Sequence, residues 1–307
     1  MKALIVGTGA VGGFYGALLA RAGAEVAVVS RSDYETVRRD GIHVRSPLGE
    51  WTFRPAAVYR NAAEVASPPD YAILCTKVLP HIDRPALIRD AVGPDTAIVL
   101  IQNGVEIEDE IVEAFPDHEL ISGLAFVCVS RTAPGQVWHQ AYGNLMFGDY
   151  PAGVSPRVES LCAAFDRAGV RARAAADIVA ARWRKCVWNA PFNPLSVLSG
   201  GLYTSDILQS QEAFVRTLMG EVCAIAATTG HPLPEDVIDR NIEDTRRMPP
   251  YKTSMLLDFE AGRPMETEAI LGNAVRAARR EGVPVPHLES VYALMQLRQR
   301  QLDKRLS

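Results

Sequence analysis

The chain has 307 residues, 48% of them hydrophobic and 22% charged, with 36 acidic against 32 basic residues and a formal net charge of −4. At about 150 residues per domain this length predicts two domains, and the ordinary composition excludes collagen, disorder and coiled coil. No basic surplus or basic run points to nucleic acid or an anionic membrane as partner.

Ala3-Leu4-Ile5-Val6 reads as a short buried strand and Val11 to Arg21 as a helix. The uncharged stretch 3–20 has the length of a membrane span or signal peptide. Glycines at 7, 9, 12, 13 and 16 interrupt it and have a better explanation below. Glu25 to Ser30 is a second strand and Tyr34 to Asp40 a short helix; His43 to Tyr59, with Pro47-Leu48-Gly49, reads as a hairpin excursion. Tyr71 to Thr76 and Thr96 to Ile101 are continuous apolar runs, each followed by a helical stretch. Such runs suit parallel strands covered on both faces, so the alternation predicts a doubly wound α/β domain. Further strands are expected at Leu120 to Val129, Gln136 to His139, Leu145 to Gly148 and Val170 to Ala174.

From about Asp177 the pattern turns helical, with segments at Asp177 to Val197, Asp206 to Thr229, Glu235 to Arg247, Met265 to Glu281 and Leu288 to Asp303. Pro191 and Pro194 should kink or end the first of these. The expected organisation is therefore an α/β domain over 1–175 and an all-helical domain over 176–307. Cys75, Cys128, Cys162, Cys186 and Cys223 are odd in number and form no CxxC, which suits free thiols in a reducing cytoplasm. The six histidines show no metal-ligand spacing, so no metal is expected.

Gly7-Thr8-Gly9-Ala10-Val11-Gly12 is a G-x-G-x-x-G loop between the first strand and the first helix. Gly7 permits the turn, Gly9 lets a pyrophosphate approach the backbone, and Gly12 lets helix and strand pack closely. A dinucleotide is the expected ligand, with a structural turn as the alternative. An NAD site places an acid about 20 residues further on. This chain has Ser30-Arg31-Ser32 there, a cation and two hydroxyls suited to a 2′-phosphate, so NADP is expected. The alternative is a surface arginine, and Asp33 lies close by.

Lys185, Asn189 and Asn193 recur every four residues, which places them on one helical face. No charged residue occurs from Cys186 to Ser205, so the face reads as a polar strip in a mostly buried helix. A lysine beside two amides can bind an anionic carbonyl compound and, when burial lowers its pKa, donate a proton. A cap, a helix contact or a snorkelling lysine are the competing readings.

Five segments in order then carry a resemblance: the Gly7 loop, Cys75-Thr76-Lys77, Gln102-Asn103-Gly104, Trp183 to Pro194, and Ser254-Met255-Leu256 followed by Gly262-Arg263-Pro264-Met265-Glu266. The chain resembles the ketopantoate reductase (2-dehydropantoate 2-reductase) family. The resemblance implies a Rossmann-type domain joined to a helical domain, with the site in the cleft between them. It implies NADPH-dependent reduction of ketopantoate to pantoate, in pantothenate biosynthesis. Arg31 and Lys77 would hold the 2′-phosphate side of the cofactor, Asn103 the nicotinamide ribose and substrate, and Val129 the nicotinamide end through its backbone. Lys185 would be the general acid, and Glu266 would orient substrate or ribose and act on Lys185 electrostatically. Asn189, Asn193 and Ser254 would bind the keto acid.

Three positions depart from the family pattern: Val129 where Ala is frequent, Met265 where Thr is frequent, and Ser199 to Tyr203 without a further Asn. They leave open a paralogue acting on another keto or hydroxy acid. A dehydrogenase of β-hydroxy acids or imines and a non-enzymatic NADPH sensor are the remaining alternatives. A monomer and a homodimer are both compatible with the sequence.

Overall fold

In a computed structural model, which describes residues 1–306, the first half of the chain builds one ten-stranded sheet. β1 (Lys2–Val6), α1 (Ala10–Arg21), β2 (Glu25–Val29) and α2 (Tyr34–Asp40) come first. The hairpin β3 (Ile42–Ser46) and β4 (Gly49–Phe53) follows, then β5 (Val58–Tyr59), β6 (Tyr71–Leu74) and β7 (Ala97–Ile101). α3 (Asp109–Ala114), β8 (Leu120–Ala133), β9 (Gln136–Asp149), α4 (Pro156–Arg167) and β10 (Ala172–Ala174) complete this half.

The strand order is β4-β3-β9-β8-β7-β6-β1-β2-β5, with β10 beside β9. β1 runs parallel to β2 on one side and β6 on the other, Ile5 lying opposite both Val28 and Ile73. The chain order therefore reverses at β1, the place where an open α/β sheet leaves a crevice at its carboxyl edge. α1 seals one face with Phe14, Tyr15, Leu18 and Leu19, all fully buried.

Two expectations for this half are corrected. The stretch after β6 is no helix but two short 3-10 turns, Pro85–Leu87 and Arg89–Ala91, because Pro80, Pro85 and Pro94 deny it the repeating amide donors. The two strands expected at 136–139 and 145–148 are one 14-residue strand, β9, paired antiparallel to β8. Its polar middle is irregular, with Tyr142 at φ +65° and Gly143 at φ +113°.

The second half is helical: α5 (Ile178–Leu198), α6 (Thr204–Thr228), α7 (Val237–Arg247), α8 (Ser254–Glu260), α9 (Asn273–Arg280) and α10 (Pro286–Leu306). A π-helical turn, Glu268–Gly272, leads into α9, so the helix expected from Met265 begins three residues later. Pro191 and Pro194 do not end α5. Trp183, Val187, Ala190, Phe192 and Val197 are buried along it, and this packing outweighs the two lost amide donors. α8 was not expected. Thr253 caps it, its hydroxyl accepting from the Leu256 amide at 3.2 Å.

The chain forms two compact units. The first comprises Met1–Lys77, Ile82–Gln102 and Glu108–Ile178; the second comprises Val78–His81, Asn103–Ile107 and Val179–Ser307. Each unit has its own apolar core, and Val105 belongs to that of the second.

Candidate active site

The glycine loop leaves β1 at the reversal point of the sheet. Gly7 has φ +97°, and a Cβ there would lie 2.8 Å from the Thr76 methyl. A Cβ on Gly12 would lie 2.1 Å from the Gly7 carbonyl oxygen. At Gly9, by contrast, a Cβ would meet nothing within 4 Å. The fold itself requires Gly7 and Gly12, whereas no contact within the fold requires a glycine at Gly9. α1 starts at this point without a side-chain cap and without an acid in its first turn. Its amide end is available to an anion, so the loop fits a pyrophosphate. Thr8 is buried and donates to Ser30 Oγ at 2.7 Å, tying the loop to the end of β2; Ala10 and Val11 form the first turn of α1.

Beyond β2, Arg31 is exposed and, among the described residues, makes no hydrogen bond or ion pair. Asp33 is 3% exposed and already accepts from Arg131 at 2.5 Å, Ser32 at 2.9 Å and the Gly135 amide at 3.2 Å. A carboxylate so engaged is withdrawn from any ribose, and the local cation remains. Lys77 follows β6 and is partly buried. Val129 lies in β8 opposite His139, just past a ladder irregularity. Gln102, whose role the sequence did not reveal, locks the end of β7 to that of β6. It donates to the Thr76 carbonyl at 2.6 Å and accepts from Arg84 at 3.0 Å.

In the second unit, residues 82 and 163 positions apart in the chain meet. Lys185 Nζ donates to Asn103 Oδ1 at 2.7 Å, and Asn103 Nδ2 donates to Glu266 Oε2 at 3.3 Å. The other carboxylate oxygen accepts from the Val78 amide at 3.1 Å. The donors all point one way, from ammonium through amide to carboxylate, and the last group can only accept. Burial and the Arg182 guanidinium bring the Lys185 pKa down to about 8, against the opposing pull of Glu266. An amine so poised holds a proton at neutral pH and gives it up more readily than an ordinary lysine.

Asn189 and Asn193 follow Lys185 on α5, 8% and 2% exposed, and among the described residues no hydrogen bond engages either side-chain amide. Ser196 donates to the Asn193 carbonyl at 2.8 Å and meets Thr253 Oγ1 at 2.6 Å. This pair brings the start of α8, and with it exposed Ser254, beside the Asn193 turn. The sequence reading missed Arg182. Its signal was present: an arginine three residues before Lys185 shares the helix face of a lysine already singled out. Among the described residues no cluster of three or more His, Cys, Asp or Glu could hold a metal ion, and no helix is long and apolar enough to cross a membrane.

Comparison with known proteins agrees in both halves. A family model described as "Ketopantoate reductase PanE/ApbA" matches residues 3–152, and its C-terminal counterpart matches residues 177–299. The chain is 34% identical to the 2-dehydropantoate 2-reductase of Nostoc sp., over 95% of this chain and 93% of that one. The crystal structure of 2-dehydropantoate 2-reductase from Methylococcus capsulatus is 63% identical, covers 98% of both chains and superposes with a TM-score of 0.95. A ternary structure of D-mandelate dehydrogenase with NADH and anilino(oxo)acetate is 22% identical, with a TM-score of 0.87 over 99% of this chain and 100% of that one; this likeness is one of fold alone.

Proposed function

The chain belongs to the ketopantoate reductase family, oxidoreductases acting on a CH–OH group, and we propose that it reduces a small 2-keto acid with NADPH, ketopantoate being the substrate that fits best. The observation that carries this reading is the 2.7 Å contact from Lys185 to Asn103, backed by Glu266. A reductase of this kind needs one proton donor beside amides that can bind the substrate.

The bound cofactor supplies a hydride to the carbonyl carbon. The Gly7–Gly12 loop holds its pyrophosphate, and Arg31 with Lys77 favours a 2′-phosphate over a free hydroxyl. Negative charge then grows on the carbonyl oxygen, where the Lys185 ammonium stabilises it and delivers its proton. Asn103 accepts from Lys185 and so aims the amine, while Glu266 fixes the orientation of the Asn103 amide. The buried amides of Asn189 and Asn193 have donors to offer a carboxylate and a hydroxyl, with Ser254 as a further polar contact. Reduction of ketopantoate would make this a step of pantothenate biosynthesis, and the unpaired cysteines suit a reducing compartment such as the cytoplasm.

A reductase of another keto acid is the second reading, favoured by the turn from Ser199 to Tyr203. It contains no amide side chain and presents Tyr203 39% exposed. Both readings are tested by following NADPH oxidation with a panel of 2-keto acids, ketopantoate included, for the native chain and Lys185→Ala. Turnover of ketopantoate above the other acids, reduced at least a hundredfold in the variant, is the expected result (order of magnitude for a general acid, about 10²–10⁴). Failure with every keto acid would overturn the proposal, and an undiminished rate in the variant would remove Lys185 as the acid.

A further inference from the structure

Arg182 stands one turn before Lys185 on α5, only 2% exposed, and its Nη1 donates to the Gly104 carbonyl at 3.2 Å. A guanidinium is expensive to bury, so its placement calls for a task. The turn it holds is the one that presents Asn103. Gly104 has φ +118°, and a Cβ there would lie 2.7 Å from the Ala269 carbonyl oxygen of the π-turn. The next residue is fastened from the same side: the Val105 amide donates to Ala269 O at 3.1 Å, and Asn273 Nδ2 donates to Val105 O at 2.7 Å. The π-turn thus grips one side of the segment while Arg182 grips the carbonyl directly after Asn103.

We propose that Arg182 is a positioning residue for the proton donor: it fixes the Asn103–Gly104 turn by its carbonyl and keeps a second positive charge beside Lys185. The inference rests on the reading of Lys185 as the general acid. Arg182 from its own helix and Glu266 from the segment ahead of the π-turn both act on the Lys185 amine. They act in opposite directions, with burial on the side of Arg182. Burial is the larger depressing influence, and Arg182 adds to it against the opposing charge of Glu266.

The test is the titration of Lys185 in the full chain with Arg182→Met, which keeps the apolar stem, and Arg182→Lys, which keeps the charge. Trace acetylation with acetic anhydride across a pH series, read by mass spectrometry of the Lys185 peptide, gives the midpoint without requiring turnover. The chain has only five lysines, Lys2, Lys77, Lys185, Lys252 and Lys304, so the peptide is readily distinguished. The midpoint should rise by about 0.5 to 1.5 pH units in Arg182→Met, as expected for loss of a nearby like charge. It should stay in place in Arg182→Lys, while kcat falls because ammonium does not reproduce the guanidinium contact. The basic limb of kcat/KM should follow the midpoint. A merely structural role would lower the rate at every pH and leave the midpoint where it was; an unmoved midpoint in folded Arg182→Met overturns the proposal. If that variant does not fold, Arg182→Lys decides, and an undiminished kcat or a midpoint at the ordinary lysine value overturns it. Absence of turnover in the native chain would count against the proposed reaction, while the labelling midpoints still judge Arg182.

Discussion

Glu266→Gln changes one oxygen of the candidate site into an amide nitrogen. The carboxylate accepts twice, from Val78 N at 3.1 Å and from Asn103 Nδ2 at 3.3 Å. A glutamine has one acceptor oxygen, so one of these donors must face an NH2 group. If Asn103 turns over to escape that clash, its own NH2 faces the Lys185 ammonium across the 2.7 Å contact. Either arrangement leaves a donor unpaired, which costs about 1–3 kcal/mol. If that loss falls on the transition state, kcat/KM drops about 5- to 150-fold. The pH profile should move as well. Glu266 holds the Lys185 pKa up against burial and Arg182, so removing its charge takes the value below about 8. The acid form is then lost at lower pH, and the falling limb of the reduction profile shifts toward neutrality. The assay is the initial rate of NADPH oxidation over pH 5.5–9.5, in roughly half-unit steps (finer than the expected shift), with the best substrate of the panel. A profile that stays in place or moves upward, or a rate at low pH close to native, would refute the one-way donor chain.

Two further outcomes are expected. Arg31→Ala should raise KM for NADPH about 10- to 150-fold and leave KM for NADH nearly unchanged, as for a lost charge-assisted contact of about 1.5–3 kcal/mol; equal losses with both cofactors would show that Arg31 does not meet the 2′-phosphate. Gly12→Ala should melt at a lower temperature than native without any ligand, since overpacking of this kind costs about 1–3 kcal/mol or more. Gly9→Ala should melt like the native chain yet lose the upward shift produced by NADPH. Persistence of that shift would remove Gly9 from the phosphate cradle.

The α/β half was legible because buried parallel strands announce themselves as continuous apolar runs, as in Ala3–Val6 and Tyr71–Leu74, and because the glycine loop fell between a strand and a helix. The stretch after β6 was misread because apolar residues such as Leu79, Leu87 and Ile88 are spaced permissively for a helix while prolines break the amide ladder. α5 erred in the opposite sense, since proline was weighed without the tertiary burial that overrides it. α8 escaped because seven residues hold too little periodicity to register. In the site, Lys185, Asn189 and Asn193 could be grouped from their spacing, being neighbours on one helix. The meeting of Lys185 with Asn103 and Glu266 could not, because no local pattern encodes contact between residues 82 and 163 positions apart. Asp33 shows the same limit: its engagement by Arg131, across 98 residues, decides whether it competes with Arg31.

The excursion of Asn103–Ile107 into the second unit bears on how this protein can be cut and recombined. A peptide beginning at Val179 would lack Asn103, the acceptor of the Lys185 amine, and Val105, a residue of its own core, so no single cleavage yields two complete halves. A chimera joined at that point inherits the same dependence. An α/β half borrowed from a relative arrives with its own residues at 103–107, and these must suit a socket made by Arg182, Ala269, Asn273 and Arg280. Exchange of coenzyme preference by grafting should therefore leave residues 103–107 with the helical unit they pack into.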